Sequence, residues 1–87
     1  MTPDEVLDVV REAVVVVLEV DPAAVTRETR LREDLEADSL ALVEIVEIVE
    51  ERLSATAAGF SVDDEELDGL TTVGEAADLA LAKLAGR

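Results

Sequence analysis

Neither cysteine nor histidine occurs in the 87 residues, and tryptophan and tyrosine are missing as well. Without cysteine there is no disulfide framework and no thiolate nucleophile. Without histidine the usual general base near neutral pH is gone. Any metal site would be built from carboxylates alone, which suits calcium or magnesium rather than zinc. Phe60 is the single aromatic ring, so the core has to be assembled from Val, Leu, Ile and Ala. No long apolar run is present either: AVVVVL, residues 13–18, is bracketed by Glu12 and Glu19 and is far too short to span a bilayer. The N-terminal MTPDEV is acidic where a signal peptide would be basic, and the expected location is cytoplasmic.

What remains is plentiful. Apolar residues make up 49% of the chain, enough for one small domain over residues 1–87 that folds unaided. Twenty-two acidic residues stand against seven basic ones, a formal charge of −15. Such a field repels nucleic acid and anionic membrane and attracts basic protein surfaces. It also serves solubility, but the acidic residues are unevenly spread.

Thr2-Pro3-Asp4-Glu5 is a helix start: Thr2 caps, Pro3 suits the first position, and Glu5 completes a capping box. Val6, Val10, Ala13, Val14, Val17 and Leu18 then recur at helical spacing, predicting a helix over residues 3–19 that Asp21-Pro22 ends. Residues 21–37 show no sustained period, hold Arg27, Arg30 and Arg32, and read as a long structured loop pinned by Val25, Leu31 and Leu35. A loop of that length in so small a domain is often functional. A second helix is expected from Asp38-Ser39 to Leu53, with Leu42, Ile45, Val46, Val49 and Leu53 inward. Glu44, Glu47 and Glu51 share another face, and Glu50 lies beside them. DDEELDGL reads as one short helix stopped by Gly69, and Thr72 can cap a last helix over residues 73–85 with Ala76, Leu79, Ala80 and Leu84 inward. The fold class is all-α: a four-helix bundle, three helices long and one short, with a long first loop.

Little in this chain can catalyse. Ser39 has no nearby histidine or lysine in its helix to activate it as a nucleophile. Carboxylates are so abundant that no one pair stands out for glycosidase-type work. Neither a calcium-loop pattern nor a glycine-rich phosphate loop occurs. The chain is not expected to be an enzyme. Ser39 itself has two readings. As a helix N-cap it would be worth about 1 kcal/mol. As a modification site, its hydroxyl would sit where backbone N–H groups and the helix dipole favour a phosphate.

The stretch LREDLEADSLALVEIVEIVEERL resembles the second helix of acyl carrier proteins, whose Asp-Ser-Leu motif carries a 4′-phosphopantetheine arm on the serine. The likeness extends to VDPAAVTRETRLREDL, similar to the family's first loop, and to VDDEELDGLTTVGEAADL, similar to its third helix and the start of its fourth. The resemblance implies that Ser39 is the attachment site. Asp38 would help position it and the transferase's magnesium. Leu40, Val43, Glu44, Glu47, Glu50 and Glu51 would form the partner-recognition face. The implied cofactor is 4′-phosphopantetheine donated from coenzyme A, and no metal is expected to reside in the chain. The implied partners are a phosphopantetheinyl transferase, then ketosynthase, acyltransferase and other synthase enzymes with basic docking surfaces. Nucleic acid and membrane are not expected as partners, and the chain is expected to be a monomer. It would hold acyl intermediates as thioesters for a fatty acid or polyketide synthase.

Three departures from the family pattern stand out. Glu36 replaces a frequent glycine, Ala41 replaces a frequent acidic residue, and ATAAG lengthens the loop before Phe60 by about five residues. DSLALVE is closer to the carriers of aromatic polyketide pathways. Two alternatives stay open: a peptidyl or aryl carrier, although those more often show Gly-Gly before the serine motif, and an acidic helical interaction domain in which Ser39 is only a cap.

Like charges crowd the second helix and residues 63–68, so self-repulsion should weaken the fold at low ionic strength. Added salt, or magnesium or calcium at concentrations on the order of millimolar, should raise the melting temperature. A melting curve indifferent to both would show that the charges are already neutralised.

Overall fold

The computed structural model describes residues 2–55 and 62–85. Four α-helices follow one another: α1 (Pro3–Leu18), α2 (Ser39–Ser54), α3 (Asp64–Asp68) and α4 (Val73–Ala85), with a single 3₁₀ turn over Pro22–Ala24. The expected bundle of three long helices and one short is the observed architecture. The inserted ATAAG segment and Phe60 lie outside the described residues.

The capping box at Thr2 is formed: Thr2 Oγ1 accepts from Glu5 N–H at 3.2 Å and Glu5 Oε1 accepts from Thr2 N–H at 3.0 Å. Those contacts hold the Glu5 carboxyl below its usual range, the Thr2 backbone N–H being the largest cause. Helix α1 stops one residue earlier than expected, because Glu19 turns left-handed (φ 53°) and its N–H closes back onto Val15 O. It packs against α2 and α4 through Val6, Val10, Ala13 and Val14, all fully buried, while Val17 and Leu18 are half-buried against the same core.

On α2, Leu42, Ile45, Val49 and Leu53 are buried and Val46 is half-buried. On α4 Ala80 is buried as expected, together with Val73 and Ala77. Ala76, Leu79 and Leu84 are half-buried. Thr72 caps α4 as expected, its hydroxyl accepting from Glu75 N–H at 3.1 Å.

The long first loop is held mostly by backbone. Leu31 N–H donates to Thr71 O, Val73 N–H to Thr29 O and Gly74 N–H to Arg27 O, each at 2.9 Å. A Cβ on Gly74 would sit 2.9 Å from Arg27 O, so only glycine admits this approach. Thr29, the one buried polar residue among the described residues, turns its hydroxyl onto Ala24 O at 3.1 Å and accepts from Thr26 N–H at 2.9 Å. Arg27 reaches α4, gripping Asp78 with contacts of 2.8 and 2.9 Å. Arg30 folds locally onto Glu33 and Asp34. Its backbone N–H, then its guanidinium, hold the Asp34 carboxyl below the usual range. That contribution is complete above the ordinary carboxylate pKa and is lost as pH falls through the lowered folded value. Val25 and Leu31 are buried and Leu35 half-buried, as the sequence predicts.

Glu36 takes the left-handed backbone conformation, φ 55°. This is the position where the family frequently has glycine, so the chain turns there as a glycine would, against the Cβ clash of an L side chain. Glu36→Gly should therefore stabilise by about 0.5 kcal/mol, the relieved clash slightly exceeding the added chain entropy. Glu36→Val should destabilise by more than about 1 kcal/mol. Urea unfolding of the two variants checks both signs.

Candidate functional site: the start of helix α2

Leu31 O accepts from Ala37 N–H at 2.9 Å, which sets the last turn of the loop and buries Ala37. Asp38 follows in extended conformation (φ −89°, ψ 179°) and is the N-cap, with Oδ1 accepting from Ala41 N–H at 2.8 Å. Ser39 is thus the first helical residue and not the cap. Its side chain is exposed, and its hydroxyl has no hydrogen-bond partner among the described residues. The reading of Ser39 as only a cap is overturned, because Asp38 fills that role. Asp and Ser are nearly equal N-caps, so sequence could not choose between them.

Downstream of Ser39 the helix presents a continuous stripe. Leu40 is 66% and Val43 37% exposed, two of the three large apolar side chains most exposed among the described residues. Glu44, Glu47 and Glu51 continue it, all exposed. Glu50 stands at its edge and is half-buried, and its Oε2 accepts from Val62 N–H at 2.8 Å. That carboxylate ties α2 to the segment ahead of α3. Nothing in the sequence signals this contact, because its partner is a backbone N–H twelve residues away.

Beside Ser39 lies a groove of about 260 Å³ lined by Arg32, Ser39, Leu42, Val43, Leu67 and Asp68. Behind it is an internal cavity of about 30 Å³ whose lining is entirely Val, Leu, Ile and Ala. Leu42 and Leu67 belong to both walls. Lys83 holds α3 to α4 through Glu66 at 2.8 Å. With the Asp63 backbone N–H as the lesser cause, that contact keeps the Glu66 carboxyl low. Among the described residues no group of three acidic side chains could hold a metal ion, and no helix is long and apolar enough to cross a membrane.

A reachable, uncommitted hydroxyl on the first turn of a helix, next to an apolar stripe, an acidic stripe and an aliphatic cavity, is the geometry of a covalent carrier domain. Residues 8–80 match the family described as "Phosphopantetheine attachment site". The chain is 45% identical over 78 residues to an acyl carrier protein of Rubrobacter xylanophilus, covering 90% of each chain. It is 38% identical over 84 residues to that of Petrotoga mobilis (97% of this chain, 93% of the relative). With the acyl carrier protein of Thermosynechococcus vestitus the identity is 38% over 85 residues (98% and 99%). The chain belongs to the acyl carrier protein family. Its role is that of a carrier, with 4′-phosphopantetheine as the covalent cofactor. Proteins of this family are modified by a phosphopantetheinyl transferase and work with synthase enzymes.

The two neighbours at the helix start should separate cleanly in stability. Ser39→Ala should leave unfolding free energy within about 0.5 kcal/mol of the parent, whereas Asp38→Ala should cost about 1 kcal/mol through loss of the cap. Chemical denaturation of both unmodified variants measures the difference.

Proposed function

We propose that Ser39 carries the arm and that residues 1–87 act as one carrier domain. The observation carrying this reading is that Asp38 takes over the capping, leaving the Ser39 hydroxyl exposed on the first turn and without a partner among the described residues. In the attachment, Ser39 Oγ bonds to the phosphorus of coenzyme A that bears the pantetheine. The phosphoanhydride bond breaks, adenosine 3′,5′-bisphosphate leaves with the electron pair, and the hydroxyl proton passes to a base on the transferase. The Asp38 carboxylate holds the first turn in place and leaves one oxygen free to face the transferase's magnesium. Once attached, the group supplies a thiol on a long flexible tether, which holds acyl groups as thioesters and raises their effective concentration at each partner.

The chain itself then needs no catalytic residue, and we read it as a non-enzyme, monomeric and cytoplasmic. Leu40 and Val43 offer partners an apolar contact beside the attachment point. Glu44, Glu47 and Glu51 extend it as an acidic strip, with Glu50 at the margin. Sixteen residues of α2 span about 24 Å, room for a basic docking surface on a transferase, ketosynthase or acyltransferase. The shared walls of groove and cavity support sheltering an acyl chain behind Leu42 and Leu67. The pathway served is of the fatty acid or polyketide kind.

Incubation with a phosphopantetheinyl transferase and coenzyme A should add one arm, located by peptide mapping to Ser39 and absent in Ser39→Ala. An arm found on Ser54 or Ser61 would sink the assignment. For the docking strip, opposite charges speed encounter more than they add affinity, and single exposed pairs contribute about 1 kcal/mol or less. Glu44→Lys combined with Glu51→Lys should keep the helical circular dichroism, slow transfer by partner enzymes, and flatten its dependence on salt. Unchanged rates and salt slope would leave the strip a solubility device.

A further inference from the structure

With 22 acidic residues competing for seven basic ones, a cation left without a carboxylate is unexpected. Five of the six described basic side chains are engaged. Arg11 meets Asp8, Arg27 meets Asp78, Arg30 meets Glu33 and Asp34, Arg52 meets Glu12, and Lys83 meets Glu66. Arg32 alone forms no ion pair with a described residue. It is exposed, and it lines the same 260 Å³ groove as Ser39.

We propose that Arg32 is a positioning residue for the arm, its guanidinium holding the phosphodiester that links the arm to Ser39. This rests on Ser39 being the attachment point. A phosphodiester bears one permanent negative charge, and here it would sit beside Asp38 and in a groove with Asp68, in a chain of formal charge −15. Without a local counter-charge it would be driven out into solvent. The planar guanidinium fork matches two phosphate oxygens at once, which an ammonium does not. The loop supplies the placement: Arg32 follows directly on Leu31, which is buried and whose backbone bonds to both Thr71 and Ala37. The base of its side chain is therefore fixed while its head is exposed. Holding the phosphate at the groove would direct the start of the arm toward Val43 and Leu67 and restrict the volume the thiol explores.

The test uses the full chain, arm attached, in its native form and as Arg32→Gln and Arg32→Lys. Mapping first locates the arm. In nitrogen-15-labelled protein, loading should move the Nε–Hε signal of Arg32 several-fold more than those of Arg27 and Arg30. The phosphorus-31 signal of the loaded protein should move on Arg32→Gln, less on Arg32→Lys, and the difference should shrink as salt is raised. An arm on Ser39 with an unmoved Arg32 signal and superimposable phosphorus spectra for all three proteins would overturn the proposal and leave the attachment intact. An arm on another residue would overturn both. Arg32 is exposed, so Arg32→Gln is expected to fold, and circular dichroism verifies it.

Discussion

The site depends on the short backbone pairing between the first loop and the start of α4. Leu31 donates to Thr71 and Val73 to Thr29, both at 2.9 Å, and Leu31 O in turn receives Ala37 N–H. These bonds join the segment that leads into α2 to the segment that starts α4, so the beginning of α2 is held by a third element and not by its own helix alone. The side chains of Leu31 and Val73, both buried, add the apolar half of the same anchor. Asp38 then caps a helix whose position is already set. A serine at that point is displayed on fixed backbone while its own side chain remains uncommitted.

The helices were legible because their signals lie in side chains at regular spacing. Thr2, Pro3 and Glu5 announce α1, Thr72 announces α4, and the apolar period of α2 identifies Leu42, Ile45, Val49 and Leu53 as buried. The first loop resisted reading for the opposite reason. Its ties to Thr71, Val73 and Gly74 are main-chain hydrogen bonds, which any residue except proline can donate and every residue can accept. On α4, Ala80 was read as inward and is buried, but Ala77 is buried in preference to Ala76, and composition cannot say which of two neighbouring alanines faces the core. At the helix start, the exposure of Ser39, Glu44, Glu47 and Glu51 was legible from the motif and the helical spacing. The division of labour between Asp38 and Ser39 was not, nor was the diversion of Glu50 to Val62 N–H. Glu36 was visible as a departure from the family's glycine, and its φ of 55° shows that the turn is kept although the residue is not.

Charge is arranged as economically as its scarcity demands. Arg27 and Lys83 each join two elements, the first loop to α4 and α3 to α4. Arg52 joins α2 to α1 through Glu12. None of the described cations pairs with Glu44, Glu47 or Glu51. Arg27, Arg52 and Lys83 therefore hold elements together at the margins, and among the described residues the α2 strip is left uncompensated. An uncompensated strip keeps its field, and a field on one side of a small body orients an approaching basic surface before contact.

The aliphatic core bears on the same function through its softness. Aromatic rings fill space rigidly and in fixed orientations, and among the described residues none is present. The lining of the 30 Å³ cavity consists of Val, Leu, Ile and Ala, branched or short side chains that can be parted without breaking a hydrogen bond. Leu42 and Leu67 stand between that cavity and the groove at Ser39. Helix α3, which bears Leu67, is only five residues long, too short to be stable on its own. The Lys83–Glu66 ion pair ties it to α4, and the part-buried Glu50–Val62 hydrogen bond ties the segment ahead of it to α2. Enlarging the cavity toward Ser39 thus requires moving one short helix held by the buried Leu67, one ion pair and one hydrogen bond, while α1, α2 and α4 keep their packing.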